Sequence, residues 1–225
     1  MKHLYLVANW KSNKSVNESI EWIRTFKSQV STLKLKENIH LILCVPFTVV
    51  TSLHEEMKSL DVPLYLGVQD ISSFPNGAYT GEVSASMVKG IAQWTIIGHS
   101  ERRKYFHETD DVLLKKVQQG VSEGLHIIYC IESSDVSVPL QIDAIAYEPV
   151  SAIGSGKAQP PQDAEIVCRQ IKTLHPNVSI LYGGSVNPDN IAEFCKQPSI
   201  DGVLVGTASL DPDKFFHLIE AVSSL

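Results

Sequence analysis

Eight short, apolar, β-branched runs recur along the chain, at 4–8, 39–45, 64–68, 95–97, 126–130, 144–147, 178–182 and 202–205. Longer amphipathic stretches at 17–30, 48–60, 82–90, 110–123, 161–174, 188–196 and 211–222 separate them and read as helices. Strands that alternate with helices must run parallel, because each helix carries the chain back across the sheet. Eight such units describe a closed α/β barrel, the (β/α)8 architecture, better than an open doubly wound sheet. Helix starts are marked by Pro188 after Asn187 and by Asp211 before Pro212. With 225 residues, 44% of them hydrophobic, the chain is expected to form one domain over residues 1–225.

One connection breaks the rhythm. Residues 131–142 combine poor helix formers with Pro139, and a parallel crossover needs about a dozen residues at the least. The fifth outer helix is therefore expected to be missing or strongly shortened. Val136, Val138 and Leu140 alternate with Ser137 and Pro139, so an extended segment is expected to lay these three side chains over the gap.

A formal net charge of -6 argues against binding nucleic acid or an anionic membrane, both of which require a basic face. It leaves room for a small anionic substrate, which backbone N–H groups and one lysine can hold locally. Cys44, Cys130, Cys168 and Cys195 lie far apart with no zinc-like spacing, which suggests a reducing, cytoplasmic setting. The apolar run at 4–8 is too short for a signal peptide, and no run reaches transmembrane length.

Barrel enzymes work at the C-terminal ends of their strands. Those ends carry Asn9-Trp10-Lys11, Gly98-His99-Ser100-Glu101, Glu148, Gly183-Gly184-Ser185 and Gly206-Thr207. Singly, each has an ordinary explanation as a solvated charge, a structural histidine or a tight turn. Together they bring a carboxylate, an imidazole, an ammonium and two glycine-rich turns to one rim. No metal-ligand cluster and no nucleophile paired with a base accompany them, and no cofactor is implied. Proton abstraction beside a carbonyl fits this set, with Glu148 as base and the developing enediolate held by Lys11, Asn9 and His99. An aldose–ketose isomerisation would use one carboxylate for both carbons.

Several segments resemble the triosephosphate isomerase family. They are Asn9-Trp10-Lys11, Gly67-Val68-Gln69-Asp70, Gly77-Ala78-Tyr79-Thr80-Gly81-Glu82, Ile97-Gly98-His99-Ser100-Glu101-Arg102-Arg103, Ala146-Tyr147-Glu148-Pro149-Val150, Tyr182-Gly183-Gly184-Ser185-Val186 and Val205-Gly206-Thr207-Ala208-Ser209-Leu210. They span almost the whole chain in the family's order. The resemblance implies a TIM barrel that interconverts dihydroxyacetone phosphate and glyceraldehyde 3-phosphate, as in glycolysis and gluconeogenesis. By that resemblance Glu148 moves the proton, neutral His99 is the electrophile, Lys11 and Asn9 steady the substrate oxygens, and Glu101 orients the pocket. This pairing of a glutamate base with a neutral histidine is a known pattern of the family and is carried over as such. The phosphate would rest on Gly154, Ser185, Gly206 and Thr207, with Asn9 and Lys11 at the same end. Ile153 and Leu204 would form an apolar clamp around the base. The loop that opens at Asp70 and closes at Glu82 implies a homodimer, with Thr80 reaching the partner's Asn9 and Lys11.

The chain departs from the family at Ser151, where tryptophan is usual, and at Cys130-Ile131-Glu132-Ser133, where that tryptophan's glutamate partner would follow. Thr207 replaces a common glycine, and Ser155 replaces a threonine. The alternatives are another sugar-phosphate epimerase or lyase, and a weakened or inactive barrel that only binds phosphate.

Overall fold

The computed structural model describes residues 2–149 and 157–225. In chain order the elements are β1 (Leu4–Asn9), α1 (Val16–Val30), β2 (Ile39–Val45), α2 (Phe47–Leu60), β3 (Tyr65–Val68), α3 (Ala85–Val88), β4 (Trp94–Ile97), α4 (Ser100–Phe106) and α5 (Asp110–Ser122). There follow β5 (His126–Ile131), β6 (Ala144–Tyr147), α6 (Pro161–Leu174), β7 (Ser179–Tyr182), α7 (Ile191–Cys195), β8 (Gly202–Val205), a 3-10 turn (Thr207–Leu210) and α8 (Pro212–Ser223). The strands pair in sequence order as a closed parallel barrel, sealed where Tyr5 to Ala8 of β1 meet Gly202 to Val205 of β8. This is the (β/α)8 architecture that the alternation of strand and helix periods required.

Two layers of apolar side chains hold it. Val7, Ile42, Ile96, Ile128, Leu181 and Leu204 point inward and fill the barrel, while their neighbours along each strand pack against the helices. Outside, Trp10, Trp22, Phe26 and Phe215 form a continuous aromatic seam that joins β1 to α1 and α8. The Trp10 indole is fully buried and donates to the Ser209 carbonyl at 3.2 Å. With Trp10 pinned outward, its neighbours Asn9 and Lys11 are left to face the barrel mouth.

The chain between β5 and β6 carries no helix, so the fifth outer helix is absent. Val136 and Val138 pack on the core as expected, but Leu140 does not: it is 86% exposed, and Ile142 packs instead. The reason is local. Gln141 adopts a φ of 64°, a left-handed turn that breaks the alternation before Ile142.

Two further expectations are corrected. The helix expected over 82–90 shrinks to Ala85–Val88, and the one over 188–196 starts only at Ile191. Near Pro188, the Asn187 side chain accepts from the Asp189 N–H and the Asn190 side chain accepts from the Asn187 N–H, so side-chain turns take the bonds a helix start would use. In contrast, Asp211 caps α8 as its position suggested, accepting from the N–H groups of Asp213 and Lys214. Among the described residues, no helix is long and apolar enough to cross a membrane.

Candidate active site

At the C-terminal ends of the strands a cavity of about 670 Å³ is lined by Asn9, Lys11, His99, Glu148, Ser185, Gly206 and Thr207. With Gly183 and Gly184, nine residues singled out from five strand ends thus line one cavity. Leu204 lines the cavity too. Glu101 stands behind it and reaches the site through Lys11. Gly154, together with Ile153, Ser151 and Ser155, lies outside the described residues.

β4 ends in Gly98, whose φ of 74° turns the strand directly into α4 and presents His99 at the helix start. His99 Nδ1 accepts from the Glu101 N–H at 3.2 Å. A nitrogen that accepts from a fixed N–H carries no proton, so the ring's proton sits on Nε2, which points into the site. Glu101 Oε2 is 3.6 Å from the same Nδ1, too far to displace that bond. The imidazole and Glu148 are both buried, with His99 Nε2 3.0 Å from Glu148 Oε1.

Glu148 follows β6 at once. Its second oxygen accepts from the Ser100 N–H at 3.0 Å, so the start of α4 satisfies the carboxylate. Room for the side chain comes from Gly183, where a Cβ would stand 2.9 Å from Glu148 Cγ. Lys11 is held in a left-handed conformation, φ 54°, with its N–H donating to Asn9 Oδ1 at 3.1 Å. The ammonium of Lys11 donates to Glu101 Oε1 at 2.5 Å. It also lies beside Gly206, where a Cβ would be 3.4 Å from Lys11 Cε.

A buried ionic layer steadies α4 from below. Lys116 donates to both Asp70 oxygens and to Glu108, each at 2.6 Å, and Arg102 pairs with the same two carboxylates. Arg103 donates to the Gly98 carbonyl and to the Tyr129 hydroxyl, clamping the turn that carries His99.

The cysteines offer no nucleophile. All four are buried and unpaired, and burial pushes each thiol up, Cys195 to about 12 and Cys130 well above the usual range, the latter helped by the nearby Glu148 charge. Among the described residues, no group of three or more His, Cys, Asp or Glu side chains is placed to hold a metal ion.

Some contributors were missed in the sequence. Ser100 acts through its backbone, and its place in the first turn of α4 was the available signal. Gly183 was read as part of a glycine-rich turn, whereas a Cβ placed there would first meet the Glu148 side chain, at Cγ. Asp189 and Lys214 also line the cavity, brought there by the loop after β7 and by α8.

A closed parallel barrel with a dry carboxylate and a neutral imidazole facing each other at its C-terminal mouth is the frame of an acid–base enzyme. Over residues 4–222 the chain matches the family model described as Triosephosphate isomerase. It is 35% identical to the triosephosphate isomerase of Mycoplasmopsis pulmonis (strain UAB CTIP), covering 97% of this chain and 98% of that one. Identity is 38% with the enzyme of that name from Mesomycoplasma hyopneumoniae (strain 232), over 95% and 97% of the two chains. For Alkaliphilus metalliredigens (strain QYMF) it is 35%, over 97% and 99%. The chain belongs to the triosephosphate isomerase family.

Proposed function

We propose that the chain interconverts dihydroxyacetone phosphate and glyceraldehyde 3-phosphate, with Glu148 as the base and His99 as the electrophile. The observation that carries this reading is the direct pairing of Glu148 Oε1 with His99 Nε2 at 3.0 Å inside a cavity that also exposes Lys11. A ketose bound between them replaces each group's contact with the other. Glu148 then takes a proton from C1, and the C–H electron pair forms the C1–C2 double bond. The carbonyl electrons move to O2, where the His99 Nε2–H and the Lys11 ammonium stabilise the charge. After the hydroxyl proton passes from O1 to O2, Glu148 returns its proton to C2 and the aldose results.

The remaining residues have supporting parts. Asn9 fixes the strained Lys11 backbone and Glu101 holds its ammonium, so the cation is set before substrate arrives. Ser185, Gly206 and Thr207 supply the phosphate end of the cavity.

The same reading makes the chain a homodimer. Between Asp70 and Glu82 the chain bulges outward, closed at its base by the Ser72 N–H to Val83 carbonyl bond. Phe74 and Tyr79 stack on each other there, yet stay exposed. Exposed stacked aromatics on a protruding loop suit insertion into a second copy, with Thr80 near the partner's Asn9 and Lys11. Four unpaired thiols suit the cytoplasm.

Coupled conversion of glyceraldehyde 3-phosphate tests the assignment. Replacing Glu148→Gln should lower kcat by about 10²- to 10⁴-fold, the usual contribution of a general base, while inorganic phosphate still inhibits at a similar concentration. Near-normal turnover in that variant would refute the role of Glu148. Sedimentation of the wild type tests the dimer, and full activity in a monomer would overturn it.

A further inference from the structure

We propose that Lys214, on the first turn of α8, is a second cation for the phosphate of the substrate, drawing it into the cavity. This rests on the triose phosphate reading of the site.

Position is the first argument. Lys214 lines the same cavity as Ser185, Gly206 and Thr207, although it comes from a different element. Its backbone N–H donates to the capping Asp211, which fixes where the side chain leaves the helix.

Electrostatics is the second. The first turn of a helix favours acidic residues, because its free N–H groups carry partial positive charge. Asp213 conforms to this preference, and Lys214 next to it does not. A cation placed against the local field is compensated if an anion visits. None does so in the protein itself: among the described residues, the Lys214 side chain has neither a hydrogen bond nor an ion pair.

The third is the charge balance of the cavity wall. Lys11 is already matched by Glu101 at 2.5 Å. Glu148 and Asp189 also line the cavity, both as carboxylates. Without Lys214, a doubly charged phosphate would approach a wall of net negative charge, within a chain whose formal charge is -6. Lys214 is a cation that partly offsets this, so it should act on capture of substrate and leave the proton transfers alone.

Steady-state kinetics of Lys214→Gln across ionic strength provide the test, with Lys214→Arg as the charge-conserving control. An exposed cation acting on a dianion should be worth about 3- to 5-fold in kcat/KM near 10 mM salt and nothing near 0.5 M, where screening is complete within a few Å. In Lys214→Gln, kcat should stay within about twofold, while the inhibition constant of inorganic phosphate rises with KM. The arginine variant should keep the wild-type salt slope. Equal kcat/KM and equal salt slopes in wild type and Lys214→Gln overturn the proposal. A salt-independent fall in kcat also overturns it, since that marks a structural role. Should the wild type turn over no triose phosphate, the isomerase reading fails separately. Calorimetric titration with inorganic phosphate then still decides Lys214, with equal affinities counting against it.

Discussion

Gly183→Ala isolates the fit around Glu148, the base of the proposed reaction. Gly183 follows β7, donates its N–H to the Tyr147 carbonyl at 2.8 Å, and is not among the glycines with positive φ, so alanine suits its backbone. The whole effect of the substitution is then the space its methyl takes. That carbon would lie 2.9 Å from Glu148 Cγ and 3.4 Å from the Tyr147 carbonyl oxygen. Carbon atoms rest about 3.5–4.0 Å apart, so the glutamate must retreat by roughly 0.6–1 Å. It cannot swing freely, because its two oxygens are held by His99 Nε2 and the Ser100 N–H, both at 3.0 Å. A displacement of about 1 Å in a catalytic group costs roughly 10²-fold in rate, or about 2.7 kcal/mol in the barrier. Overpacking adds a stability loss of about 1–3 kcal/mol, which for a chain this long lowers Tm by roughly 2–4 °C per kcal/mol. The expected pattern is a kcat lower by about 10²-fold, phosphate inhibition near wild type, and a modest Tm shift. A kcat within threefold of wild type, with the protein folded, would show that Gly183 does not set the position of Glu148.

Three further outcomes follow from the same structure. Lys116→Met leaves Asp70 and Glu108 short of a cation in a buried layer and should cost about 3–5 kcal/mol in thermal or denaturant unfolding, with Glu108→Gln added to it restoring at least half. A double variant less stable than the single one would place the cost in packing instead of charge. Burial, partly offset by Lys116 and Arg102, pushes the Asp70 carboxyl up to about 6. The folded chain therefore takes up that proton before the unfolded one, and the wild type should gain stability relative to Asp70→Asn as pH falls from about 6 towards 4. Unfolding curves whose difference does not change over that range would contradict this. Lastly, Ile142→Ala should cost about 1–3 kcal/mol whereas Leu140→Ala stays within about 0.5 kcal/mol, since only Ile142 packs on the flank that lacks a helix. Equal costs would mean that the turn at Gln141 is not what selects between them.

The barrel was legible because two periods alternate: β-branched runs too short for helices, and amphipathic stretches too long for strands. The site was legible because closure of the barrel forces strand ends together, so Asn9, Lys11, His99 and Glu148 needed no further information to be grouped. What escaped depends on geometry that no pattern encodes. Leu140 and Ile142 look equivalent in the alternation until a single left-handed residue, Gln141, reverses them. The clearance that Gly183 gives Glu148 depends on the rotamer of a side chain 35 positions earlier, and Lys214 reaches the cavity only because α8 starts where the last strand ends. α4 was recognised as a motif but not counted among the helices, its seven residues being too few to show a period.

The bond from the Trp10 indole to the Ser209 carbonyl has a consequence for the newborn chain. It ties the tip of β1 to a turn 199 positions further along the chain. A nascent polypeptide that has already emerged with Asn9, Lys11, His99 and Glu148 still lacks the strand that seals the ring and the anchor that aims its ammonium. Competence should therefore arrive abruptly, once β8 and the turn at Ser209 have emerged, and not accumulate as each of these side chains leaves the ribosome.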